Sequence, residues 1–170
     1  MTNRSRNLAH AALIAALYAV LTHLQNLLLP GSATWAIQCR LSEMLCVLAL
    51  FTPAAVSGLS VGCLLFNLTF AAALPLDWFL GTAATFCAAF TMRKLRHIRI
   101  HGYPLLSMLM PALWNALLVG LELTVYIGGS YPLNALYVAL GEGIVLLIFG
   151  TGALHILEKR RLATRLFPET

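Results

Sequence analysis

Three glutamates, Glu43, Glu122 and Glu142, stand inside stretches of sequence that otherwise consist of apolar residues. An ionisable side chain at such a position costs about 3 kcal/mol or more to hold in a bilayer, and it marks function more often than structure. Arg40 lies three residues before Glu43, within Ile37-Gln38-Cys39-Arg40-Leu41-Ser42-Glu43. A local ion pair capping a helix would explain that couple alone, but other polar groups keep it company. Asn115 precedes Glu122 by seven residues, a spacing that sets amide and carboxylate on one helical face. Asn67, Asp77, Thr82 and Thr85 complete the set. The chemistry available to these groups is recognition. A carboxylate accepts two parallel bonds from an amidine-like edge, such as the N1–H and 2-amino group of guanine. A second carboxylate can pair with a ligand amine. Trp78, Trp114 or Tyr126 can stack on a flat ring, worth about 1–3 kcal/mol per base. Core packing or an interfacial aromatic belt is the competing use of Trp78 and Trp114.

The elements that position these groups are membrane spans. Of 170 residues, 60% are hydrophobic and 10% charged, with mean hydropathy +0.84. Soluble domains carry about 25% charged residues, so the chain is expected to be an all-α integral membrane protein of one domain, 1–170. Its apolar runs cover about 8–29, 38–51, 53–74, 78–92, 104–127 and 133–157, against the roughly 20 residues a spanning helix needs. The first run is too long for a removable signal peptide and is expected to be retained. The second is short, and Thr52-Pro53 parts it from the third, so charge decides between five spans and six. With six spans and both termini cytoplasmic, 10 of the 11 basic residues fall inside: Arg4, Arg6, Arg93, Lys94, Arg96, Arg99, Lys159, Arg160, Arg161 and Arg165. Arg40 alone is left outside, beside Glu43.

In this topology the polar groups sort by depth. Glu43 and Asp77 lie at the outer rim, Glu122 roughly 8 Å below it and Glu142 roughly 14 Å below it at 1.5 Å rise per residue. Asn115 lies nearest the middle. The inner half is mostly apolar. The pattern predicts an outward-opening pocket closed beneath by packed helices, and disfavours a proton relay, which would continue to the cytoplasmic side. Ala11, Ala12, Ala15, Ala16 and Ala19 recur at three- and four-residue spacing on the first helix. Such stripes let a second helix approach closely, either within the chain or from a separate membrane subunit.

Other motifs are missing from the sequence. It contains no GxxxxGK[ST] for ATP, no HExxH, no GxSxG and no Cys/His cluster. Cys39, Cys46, Cys63 and Cys87 form no CxxC pair and are expected to pack as small apolar residues, with no metal and no disulfide. The five histidines are dispersed near span ends, and no internal repeat supports an inverted-repeat transporter. No enzyme activity, cofactor or nucleic-acid partner is expected.

AALIAALYAVLT from Ala11 to Thr22, IQCRLSE from Ile37 to Glu43, PALWNA from Pro111 to Ala116, VGLEL from Val119 to Leu123, and Gly141-Glu142 together resemble the QueT family. That family groups with the substrate-binding S-components of energy-coupling-factor (ECF) vitamin transporters. The similarity covers essentially the whole chain, and the combination is more specific than any one piece. The family usually has an aromatic or small residue where Cys39 stands. The resemblance implies a compact S-component-like bundle of six transmembrane helices in the cell membrane. It implies capture of a queuosine precursor (7-cyano- or 7-aminomethyl-7-deazaguanine, or queuine) from outside, for ATP-driven uptake. The partners implied are a transmembrane coupling protein, docked on the first-helix alanines, and two ATPase subunits. Substrate-binding residues would be Glu122 and Glu142, with Arg40, Glu43, Asn67, Asp77, Trp114 and Asn115 completing the pocket or holding the carboxylates. The alternatives are an S-component for another vitamin-like ligand, an autonomous proton-coupled transporter, and a membrane enzyme using the three glutamates on lipid.

Overall fold

Prolines, glycines and polar turns set the helix boundaries. The structure is a computed structural model, and it describes residues 3–30, 32, 40–70, 73 and 75–167. Of these, 82% are helical and none is in a strand. Helix α1 runs Asn3–Leu28 and stops before Pro30. Helix α2, Leu41–Leu50, is a 3₁₀ helix that ends ahead of Thr52-Pro53. Helix α3 is Ala54–Thr69. Helix α4 opens with a wide π turn, Asp77–Gly81, and continues as Thr82–Lys94. Helix α5 spans Leu105–Tyr126, and α6 spans Tyr131–Lys159 with a π turn at Leu146–Gly150. A short α7, Leu162–Leu166, follows. Six main helices thus fall on the six apolar runs, an arrangement consistent with a membrane bundle.

Three of them, α1, α5 and α6, are long and apolar enough to cross a membrane. The second run does not form a full-length α-helix. Ten residues at 3₁₀ rise extend about 20 Å, and the 16 residues of α3 extend about 24 Å. Both fall short of a hydrocarbon core of about 30 Å. Gln38 and Cys39 lie outside the described residues.

Small residues set the closest contacts. A Cβ on Gly58 would stand 2.7 Å from the Ala11 carbonyl oxygen, and one on Gly62 2.7 Å from that of Ala15. Only glycine lets the α1 and α3 backbones meet so closely. Gly120 of α5 does the same for Ala135 of α6. The alanine stripe of α1 is therefore divided: Ala15 is buried in this contact, Ala11 and Ala19 are half-buried, and Ala12 and Ala16 are exposed.

One end of the bundle gathers the basic residues. The His10 and Phe167 rings lie 5.1 Å apart, edge to face, so the start of α1 meets the C-terminal segment. Arg99 reaches Glu158 at 3.0 Å and brings the 95–104 loop to the same end. The main apolar core includes Ile14, Val47, Leu59, Met92, Met108 and Leu154 and reaches Tyr18 and Cys46.

Candidate functional site

A 3₁₀ helix repeats every three residues, so side chains at i and i+3 eclipse one another. That period puts Glu43, Cys46 and Ala49 of α2 in one line, and all three are fully buried. Tyr18 of α1 donates its hydroxyl to Oε1 of Glu43 at 2.6 Å, and the Cys46 thiol donates to Oε2 at 3.2 Å. One turn up α1, the hydroxyl of Thr22 hydrogen-bonds that of Ser42 at 2.8 Å. A turn further, Oε1 of Gln25 accepts the Leu41 N–H at 2.8 Å. Three polar side chains of α1 thus clamp the start of α2, which explains why a 3₁₀ helix of this length holds. Runs beyond about four residues are uncommon without such support.

Arg40 is buried just ahead of this helix. Its charge neighbours include Tyr18, Glu43 and Glu142, and Glu122 also feels it. Glu43 and Glu142 in turn lie close enough to interact. Glutamates from α2, α5 and α6 therefore converge on one arginine, from positions up to about a hundred residues apart in the chain.

On the far wall, Asn115 of α5 donates to Oε2 of Glu142 on α6 at 2.6 Å. Oε1 of Glu142 and Oδ1 of Asn115 are buried and receive no hydrogen bond among the described residues. Glu122, also on α5, is buried too, and its carboxyl group faces that of Asp77. The π turn at the start of α4 presents Asp77. That turn is pinned by Asn67, whose amide donates to the Asp77 carbonyl at 2.7 Å, and by the Trp78 indole N–H, which donates to the Asn67 carbonyl at 3.1 Å. Gly81 closes the turn, where a Cβ would stand 3.1 Å from the Asn67 amide nitrogen.

The sequence-derived residues thus separate by role. Arg40, Glu43, Asp77, Asn115, Glu122 and Glu142 come together. Asn67 is a clip that holds the Asp77 turn. Trp114 turns elsewhere: its N–H donates to Thr91 at 3.2 Å, and it packs on the main apolar core. Sequence reasoning missed Tyr18, Thr22 and Gln25. Their spacing of four and then three residues is a helical polar stripe, and that signal lay under the alanine pattern of the same helix.

Chemically, the site is a buried, acidic, acceptor-rich cluster. Two buried oxygens, Oδ1 of Asn115 and Oε1 of Glu142, want donors that the described residues do not supply, and Glu122 meets the carboxyl of Asp77. Leaving a buried acceptor unpaired costs about 1–3 kcal/mol, so a ligand that brings N–H groups would relieve both costs at once. Among the described residues no three His, Cys, Asp or Glu side chains converge as metal ligands would.

No curated protein and no solved structure matches the chain. The family model described as QueT transporter matches residues 8–159. With that match over most of its length, and with apolar helices gathered around a buried polar cluster, the chain belongs to the QueT transporter family, a family of transporters rather than enzymes.

Proposed function

We propose that the protein is the membrane-embedded substrate-binding subunit of an energy-coupling-factor transporter and that it captures a 7-deazaguanine queuosine precursor. The observation that carries this reading is the buried pair of unmatched acceptor oxygens on Glu142 and Asn115, with the Glu122 carboxyl beside them. A guanine-like edge offers N1–H and a 2-amino group side by side, the donor pair that one carboxylate accepts. An aminomethyl substituent offers a cation for a second carboxylate. Arg40 and Glu43 form the wall between them, with Tyr18 fixing Glu43. In this reading the six helices all cross the cell membrane and the basic end faces the cytoplasm, by the positive-inside rule.

The exposed alanines Ala12 and Ala16, flanked by exposed Leu13 and Leu17, offer a smooth ridge on α1. In this reading that ridge meets the transmembrane coupling protein, with two ATPases beneath it. Ala11, Ala15 and Ala19 set how α1 sits against the rest of the bundle. The Asp77–Glu122 carboxyl contact favours a second reading, an autonomous proton-coupled transporter. Uptake by proteoliposomes lacking any ATPase separates the two: it supports the second and contradicts the first.

A panel of deazaguanines and unrelated vitamins, scored by thermal shift on the purified protein, tests the ligand class. Stabilisation by a deazaguanine alone supports it. Stabilisation by a different vitamin alone moves the protein to another substrate.

A further inference from the structure

We propose that the basic end of the bundle carries a binding site for the phosphate headgroup of an anionic phospholipid, built from Arg96, His97 and Arg99 around a cavity of about 280 Å³. This inference uses the membrane setting of the protein but is independent of what the acidic cluster binds.

The cavity lies between the loop after α4, the end of α2 at Leu50 and Phe51, and Glu158 near the end of α6. The loop is held in shape. Ile100 and Tyr103 exchange two backbone hydrogen bonds, of 2.8 and 3.0 Å, across a turn with His101 at φ 51° and Gly102 at φ 84°. Arg99 donates to the Gly102 carbonyl at 3.1 Å, and Arg96 donates to the Arg93 carbonyl at 3.0 Å. These contacts fix the two guanidinium groups without exhausting them. A guanidinium has five N–H donors, and the bonds named use one of Arg96 and, with the Glu158 contact, two of Arg99. A phosphate accepts from such forks bidentately.

Two electrostatic facts favour an anion here. Burial and the neighbouring Arg96 pull the Arg93 guanidinium below its ordinary pKa, so positive charges crowd one another at this end. Among the described residues the carboxylate at the cavity is Glu158, bound to Arg99 across a half-exposed pair, an interaction of about 0–1 kcal/mol that a phosphate can displace.

The surroundings select a lipid over a soluble phosphate. Ile98, Ile100, Tyr103 and Leu106 are all exposed around the same loop. A rim of that kind suits acyl chains and gives a hydrophilic solute nothing. Basic pockets at the ends of membrane helices bind anionic headgroups by this combination of charge and apolar rim.

The test places the full-length protein in nanodiscs of phosphatidylcholine, alone or with phosphatidylglycerol, and counts retained phosphatidylglycerol by native mass spectrometry. The double variant Arg96→Gln, Arg99→Gln is expected to lower retention about tenfold or more, as for charge-assisted hydrogen bonds lost to the phosphate. Lys159→Gln with Arg160→Gln removes two charges from the same end outside the cavity and is expected to leave retention nearly unchanged. Equal loss in both pairs, or no loss in the first, overturns the site. Should the first pair fail to fold, Glu158→Gln decides: retention rises a few-fold if the site is real, and an unchanged value overturns it. Inorganic phosphate added to phosphatidylcholine discs is expected to leave the melting temperature alone. A stabilisation equal to that by phosphatidylglycerol would assign the site to a free phosphate and overturn the lipid.

Discussion

The side-chain amide of Asn115 donates to Oε2 of Glu142 at 2.6 Å, across the α5–α6 contact, and leaves one oxygen of each residue without a donor. The bond fixes which way Glu142 points, so Asn115 governs the site even where it does not touch the ligand. Replacing Asn115 with Leu keeps the bulk and removes the amide. A hydrogen bond to a charged group is worth about 1.5–3 kcal/mol, so binding of the aminomethyl-deazaguanine is expected to weaken by roughly 10- to 100-fold. Equilibrium titration reads this directly, and an unchanged affinity would separate Asn115 from the site.

Tyr18 and Glu43 test the clamp on α2. Tyr18→Phe deletes only the hydroxyl that bonds Glu43 at 2.6 Å. The cost is about 1–3 kcal/mol for the buried acceptor left behind, and a melting temperature lower by about 2–12 °C is expected. Thr22→Val, which breaks the contact with Ser42, is expected to act in the same direction and more weakly. Unchanged melting in both would mean that the 3₁₀ helix stands without α1.

The glycines supply an internally controlled pair. Gly62→Ala would push a methyl group to 2.7 Å from the Ala15 carbonyl oxygen, against backbone that cannot yield cheaply. A loss of about 1–3 kcal/mol is expected. Gly143 on α6 meets nothing within 4 Å, so Gly143→Ala is expected to be neutral or to stabilise by up to about 1 kcal/mol. Thermal unfolding of the two variants in one detergent compares them, and similar effects would contradict the close α1–α3 contact.

Much of the site could be read from the sequence, because a carboxylate or amide in an apolar run is conspicuous and has few structural uses. Glu43, Asn115, Glu122 and Glu142 were legible for that reason, and Arg40 because it alone broke the positive-inside pattern. The 3₁₀ geometry of α2 was not, since LSEMLCVLAL has a composition that an ordinary helix shares. What makes that geometry is the contact with Tyr18, Thr22 and Gln25 from another helix, a tertiary cause that local pattern does not record. Trp114 shows the complementary problem. It adjoins Asn115 in sequence, but a step of about 100° per residue turns its indole to Thr91 and the apolar core. The alanines of α1 spaced like a docking stripe, yet spacing could not tell which of them α3 covers.

Membrane orientation makes a further prediction. In a background lacking the four cysteines, a single cysteine replacing Ser130 is expected to react with an impermeant reagent added outside cells. One replacing Arg160 is expected to react after the inside is exposed. The reverse pattern would invert the topology and place the acidic cluster toward the cytoplasm.

The most direct test of the central claim is equilibrium binding of 7-aminomethyl-7-deazaguanine to the purified full-length protein by isothermal titration calorimetry, with Glu122→Gln and Glu142→Gln measured in parallel. The expected result is saturable binding by the native protein and a loss of about tenfold or more in each variant, as for a charge-assisted bond removed from a buried site. Undiminished affinity in both variants would contradict the claim that these two carboxylates recognise the ligand.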